Sequence, residues 1–328
     1  MATANRRTAI AAGIVMASAG IALTSGAHAQ AQSEHFPSKP ITIMVPFPAG
    51  NSTDAQMRIL AQHVGDKLGQ PVIVMNMPGV GGTLAPSSMA RSAKPDGYTL
   101  STVAGSVFRL PYLQKMNYDP ATDFTYVIGL SNYNFGIAVR ADAPWKNLAE
   151  LIDAAKKTPD QITWAGIGQN SAGNIALIQL SRKAGFALNY VPYKGAAPAI
   201  TDLLGGHVSA IGEAGWGPMV ESGKMRLLAL MGHKSSQYPG IPTLKELGYD
   251  IHADAPLGLV GPKGMEPRVV KILHDAFLEA SKLPQYQEIL RLNSQPYDYM
   301  STSQYQQWAT KQIATEKRQI AELGLKAE

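Results

Sequence analysis

The chain has 328 residues, 45% of them hydrophobic and 16% charged, with a formal net charge of +5 and no cysteine. That length allows about two domains, and the apolar share builds sizeable cores, which excludes a disordered chain. Lys and Arg are scattered with no basic stripe, which excludes a nucleic-acid surface; without cysteine there is no disulfide, thiol nucleophile or lipid-anchored cysteine.

The N-terminus carries an address. Arg6 and Arg7 precede a run of small and apolar residues, Thr8 to Leu23, followed by Ala27-His28-Ala29, an A-x-A cleavage pattern. At about 16 residues the run is short of the roughly 20 needed to span a bilayer. Residues 1–29 are therefore expected to be a cleavable signal peptide, cut before Gln30, with the protein exported to a periplasm. The Arg pair lacks the flanking residues of a twin-arginine signal. Removing Arg6 and Arg7 leaves 27 basic residues against 24 acidic ones, a net +3.

Ile41 to Phe47 reads as the first strand. The stretch ITIMVPFPAGNSTD, Ile41 to Asp54, ends that strand in a Pro-punctuated turn and opens a helix over about Thr53 to Leu68. Ser52 or Thr53 is the expected cap and Gly69 the terminator. Unpaired N–H groups and the helix dipole make such a loop an anion site.

A second strand is expected over Val72 to Met77, a glycine turn at 78–82, a helix over Leu84 to Ala93 and a strand over Tyr98 to Val103. A helix over Val107 to Met116 follows. Two strand-like runs, Phe124 to Leu130 and Phe135 to Val139, read as the crossing into a second lobe. There, helix Leu148 to Lys157 leads to strand Ile162 to Ile167, which ends in the small-residue loop Gly168 to Gly173. A helix then runs to about Ala184. Strand Asn189 to Tyr193, helix Ala197 to Leu204, strand Val208 to Gly212, a short helix near Pro218 and strand Leu227 to Met231 continue the alternation. The chain closes with strand Gly258 to Val260 and helices Pro267 to Ser281, Gln285 to Leu290 and Thr302 to Gly324, the last capped by Ser301 or Thr302.

This pattern predicts an α/β protein of two lobes, each a mixed or parallel sheet flanked by helices, with a ligand cleft between them. The expected division is 30–130 for the first part of lobe 1, 131–240 for lobe 2 and 241–328 for the return. Ligands in such sheets sit at the carboxyl ends of strands, where both small-residue loops lie.

Other motifs point to no chemistry. The turn Gly79-Val80-Gly81-Gly82 lacks the Lys-Ser/Thr of a phosphate loop. The seven histidines form no metal-spaced set, so no metal and no cofactor is expected. Ser52 or Ser171 as a nucleophile requires a base, and no G-x-S-x-G elbow is present, so the chain is not expected to be an enzyme.

The segments VPFPAGNSTD, VIVMNMPGVGG and KPDGYTL, then VPYKGAAPAITDLLGGHVSA, ESGKMRLLALMGHKSSQYPGIPTLKELGYD and LVGPKGMEP, resemble in this order the Bug family of periplasmic solute-binding proteins. These serve tripartite tricarboxylate transporters. The resemblance spans the whole mature chain. It implies a two-lobed periplasmic-binding-protein-like fold that carries a small organic carboxylate to membrane permease subunits, with a sensor kinase as an alternative partner and a periplasmic hydrolase as a minor alternative. It also implies that the first loop, Phe47, Pro48, Ala49, Gly50, Asn51, Ser52, Thr53 and Asp54, holds a ligand carboxylate. The second loop, with Gln169, Asn170, Ser171 and Ala172, helps. Asp54 is expected to orient the loop more than to touch an anion, since like charges repel.

Departures from the family pattern include Ala49-Gly50 in place of Gly-Gly and Ser209 and Glu213 where acids for an amino-acid ammonium are common. Another is Ser106-Val107-Phe108-Arg109 after the third strand. Phe108 and Arg109 are candidates to read an aromatic ring and a second carboxylate, and Trp216 to stack on a ligand. The ligand classes left open are di- and tricarboxylates, aromatic acids and acidic amino acids. Nothing in the fold requires an oligomer, and a monomer is expected.

Overall fold

The computed structural model describes residues 36–325; the expected signal peptide lies outside the described residues. In chain order the elements are β1 (Ile41–Val45), α1 (Ser52–Leu68), β2 (Val72–Asn76), α2 (Leu84–Ser92), β3 (Thr99–Thr102), α3 (Ser106–Arg109), β4 (Phe124–Asn132) and β5 (Gly136–Arg140). Then come α4 (Leu148–Lys157), β6 (Thr163–Ile167), α5 (Ala172–Ala184), β7 (Asn189–Tyr193), α6 (Ala196–Leu204), β8 (Ala210–Glu213), α7 (Gly217–Glu221) and β9 (Met225–Leu230). The chain ends with β10 (Pro256–Pro262), α8 (Pro267–Ser281), α9 (Pro284–Leu292), β11 (Tyr297–Met300) and α10 (Thr302–Glu322).

Two sheets result. The first has the order β11-β4-β10-β3-β1-β2 and the second β7-β6-β8-β5-β9. In the first, β1 pairs parallel with both β2 and β3, while β10 runs antiparallel to β3 and β4. In the second, β6 pairs parallel with β7 and β8, while β5 runs antiparallel to β8 and β9. Thus β1 and β6 each lie between two parallel neighbours that follow them in sequence. The strand order reverses at the carboxyl end of each, and such reversals open the crevices where α/β proteins bind ligands.

Period-two alternation builds the second sheet's two cores. Ile137, Val139 and Trp164 face one layer, with Leu148, Leu151, Ile152 and Ala155 of α4 packed on it. Ala138, Ala165 and Ile211 face the other, against Ala199 and Leu203 of α6. The first sheet has its own core around Met44, Val103, Tyr126, Val260 and Tyr305.

Three local expectations change. The helix expected over Val107 to Met116 stops at Arg109 and passes into a 3-10 turn over Leu110–Tyr112, because the ring of Pro111 supports the start of a turn and not a helix interior. β11 was not expected. It pairs antiparallel with β4 at an edge of the first sheet, where four residues suffice because the neighbour supplies the ladder. The cap of α1 is Asn51, whose side chain accepts from the Asp54 amide; Asn caps as well as Ser, and its extended backbone places it one residue before the helix.

Candidate functional site

The loop after β1 is built from its own sheet. Gly50 takes a left-handed φ of +84°, which allows the chain to turn into α1 at no steric cost. Its amide donates to Asp54 Oδ2 at 2.8 Å. Asp54 is buried and also receives Arg58 Nε at 3.0 Å and the Asn76 amide at 2.9 Å. Asn76 ends β2 and donates as well to the Phe47 carbonyl at 3.1 Å. Burial works to raise the Asp54 pKa, but the bonds from Arg58, Gly50 and Asn76, with the Arg58 charge, hold it below the ordinary carboxylate range. Asp54 therefore braces the loop from behind. Pro48, Ala49 and Gly50 are exposed, Phe47, Asn51 and Ser52 half-buried, and Thr53 buried. The amides of Ser52 and Thr53 lie in the helix's first turn and have no intrahelical acceptor. The Thr53 hydroxyl pairs with that of Tyr133 from the crossing segment. Burial pushes the Tyr133 phenol up to about 12, so it stays a neutral hydroxyl.

The loop after β6 repeats the plan with other parts. Ser171 caps α5 by accepting from the Asn174 amide at 3.1 Å, and Asn174 Oδ1 accepts from the Asn170 amide at 2.9 Å. Gly168 donates to the Tyr193 carbonyl at the end of β7. Gln169 is exposed; Asn170, Ser171 and Ala172 are half-buried. Behind them Glu213, 3% exposed, accepts from the Ile167 amide at 3.2 Å and its neighbour Ala214 at 3.0 Å. A Cβ on Gly173 would lie 2.3 Å from the Gly212 carbonyl, so glycine there lets α5 close on β8. Burial raises the Glu213 carboxyl to about 7, against the lowering bonds from Ala214, Ile167 and Ser171. Glu213 and Tyr133 were not singled out from sequence as site residues; Glu213 was marked only as a departure.

Three expected ligand residues are placed otherwise. Arg109 is 3% exposed, and its Nε and Nη2 each donate at 2.6 Å to Glu316 of α10, which is fully buried. Its Nη1 donates to the Asn170 carbonyl. The guanidinium is neutralised and joins the first sheet's helices to the second loop, and offers no free charge for a carboxylate. Phe108, 1% exposed, packs edge-on against Trp308 at 5.3 Å in the first core. Trp216, 1% exposed, donates its indole N–H to the Asn134 carbonyl at 3.0 Å and packs on Tyr238. Both rings are core, because each has an apolar layer to fill. The histidines also depart from expectation, since His233 and His252 converge with Asp254.

Two helix N-termini thus lie at strand-order reversals, α1 capped by Asn51 and α5 by Ser171. The family described as tripartite tricarboxylate transporter family receptor matches residues 56–325. The chain belongs to this family. It is 45% identical to a Cupriavidus necator protein designated "UPF0065 protein in gbd 5'region", over 96% of each chain. Among solved structures it is similar to the periplasmic binding protein BugD (29% identity, TM-score 0.81), covering 89% of this chain and all of that one. It is equally similar in fold to the R. palustris protein Rpa4515 with adipate (26% identity, TM-score 0.82), again over 89% and 100%.

Proposed function

We propose that this chain is a periplasmic receptor that captures a small organic carboxylate and delivers it to the permease subunits of a tripartite tricarboxylate transporter. The observation that carries this reading is the placement of both capped helix starts at the strand-order reversals after β1 and β6. One ligand carboxylate lies against the Ser52 and Thr53 amides of α1, with the Ala172 and Gly173 amides of α5 closing from the other side. Phe47, Ala49, Gly50, Asn51, Gln169, Asn170 and Ser171 form the rims. Asp54 acts through the loop it braces. With Phe108, Arg109 and Trp216 engaged elsewhere, the adipate-bound relative favours an aliphatic dicarboxylate over an aromatic acid.

A thermal-shift panel tests this. Adipate, shorter dicarboxylates, citrate and an aromatic diacid are compared with their neutral amides, since a ligand that binds only the native state raises Tm. An acid that stabilises while its amide does not supports the reading. A flat panel, or equal shifts for acid and amide, contradicts it.

A further inference from the structure

The segment between β9 and β10 joins the two sheets and folds back on itself. The Ala253 amide donates to the Met231 carbonyl at 2.8 Å. A Cβ on Gly232 would stand 2.5 Å from the Ala253 carbonyl, so glycine at this position lets the two backbones lie in contact. The residues flanking that contact are His233 on one side and His252 and Asp254 on the other.

Their side chains converge. The two imidazoles stand edge to face with centroids 4.7 Å apart. His233 Nε2 lies 3.5 Å from Asp254 Oδ1. One ligand-competent atom from each of the three residues lies within 4.8 Å of the others. Asp254 is oriented from behind: the Asn132 side-chain amide donates to Oδ1, and Trp308 Nε1 donates to Oδ2 at 3.1 Å. Both histidines are exposed, so a solvated ion has access and the rings have room to adjust.

We propose that His233, His252 and Asp254 form a binding site for a divalent first-row cation of the Zn2+ class. Two imidazole nitrogens and one carboxylate oxygen suit a borderline cation and disfavour Mg2+ and Ca2+, which take all-oxygen shells. Donor atoms of a tetrahedral site with metal–ligand bonds near 2.0–2.1 Å lie about 3.4 Å apart; the present spread closes to that by small movements of the exposed rings. Asn132 and Trp308 supply the outer hydrogen bonds that hold a ligating carboxylate in place. Three protein donors leave a further position for water or an external group. Because Asn132 ends β4 and Trp308 lies on α10, a bound cation ties the connecting segment to the first sheet's elements. Its three residues are distinct from those of the loops after β1 and β6.

The test is a calorimetric titration of the full chain, free of any affinity tag and stripped with chelator, with ZnCl2 and with MgCl2. The result expected is saturable binding of one Zn2+ per chain and none of Mg2+. His233→Ala and His252→Ala each weaken Zn2+ binding by about tenfold or more, with far-UV circular dichroism unchanged. His63→Ala and His207→Ala keep the parent affinity. Asp254→Asn is read for the same loss, and if it fails to fold the two histidine variants decide. Absence of saturable Zn2+ binding, or parent affinity in both His233→Ala and His252→Ala, overturns the proposal.

Discussion

The loops after β1 and β6 do the same geometric job with opposite electrostatics. The first is braced by Asp54, a carboxylate kept ionised by Arg58 and by bonds from Gly50 and Asn76. All of those partners belong to the same sheet or its helix. The second is backed by Glu213, a carboxyl that burial holds near neutrality, and its Asn170 carbonyl is gripped by Arg109 from the other sheet's helices. The comparison teaches that the first loop is held by partners from its own sheet and helix, whereas the second is also held by a residue from the other sheet's helices.

The largest break should come from Arg109→Ala. It leaves Glu316 buried without its counter-charge, which typically costs about 3–5 kcal/mol. Urea denaturation should show that loss, and Arg109→Met with Glu316→Met together should recover much of it. Parent stability in the single variant would mean that the pair is solvated and is not a tie between the sheets.

Glu213 sharpens the contrast through pH. Its native pKa, about 7, lies above its ordinary 4.5, so its contribution to stability is full below about pH 4.5 and is lost as pH rises through 7. The loss approaches an order of 3 kcal/mol above pH 7. Glu213→Gln should flatten the pH–stability profile over that window. A variant profile parallel to the parent's would show that Glu213 ionises freely.

Asp54→Ala removes a brace whose partners are partly solvated, so a smaller loss of about 1–3 kcal/mol is expected, together with weaker carboxylate binding. Unchanged affinity would show that the first loop holds its shape without Asp54. The smallest effects belong to the caps. Asn51→Ala and Ser171→Ala should each cost about 1 kcal/mol. Only Ser171→Ala should also raise the Glu213 pKa, because the nearby Ser171 hydroxyl helps to lower it; the two pH profiles should therefore separate.

What was legible in the sequence followed from local chemistry. Gly69 terminates α1 in a left-handed conformation, and Ser301 caps α10 in a capping box with Gln304; both signals lie within a few residues of what they control. The apolar run ended by a Pro-punctuated turn marked the strand before the first loop. Phe108, Arg109 and Trp216 could not be placed the same way. The counter-charge of Arg109 is 207 positions away, and nothing near Arg109 announces Glu316. Trp216 is fixed by Asn134, 82 positions back. The convergence of His233 with His252 and Asp254 likewise depends on a backbone contact between distant segments.

The most direct measurement places bulk over the open amides of each helix start. Ser52→Phe and Ala172→Phe alter the first helical residue of α1 and of α5. Each is titrated calorimetrically with the acid that gives the largest thermal shift, alongside the parent chain and the corresponding amide. The predicted result is an unliganded Tm close to the parent's and affinity weakened by about tenfold or more in both variants, near 1.4 kcal/mol each. Parent affinity in both variants would contradict a carboxylate held between these two helix starts.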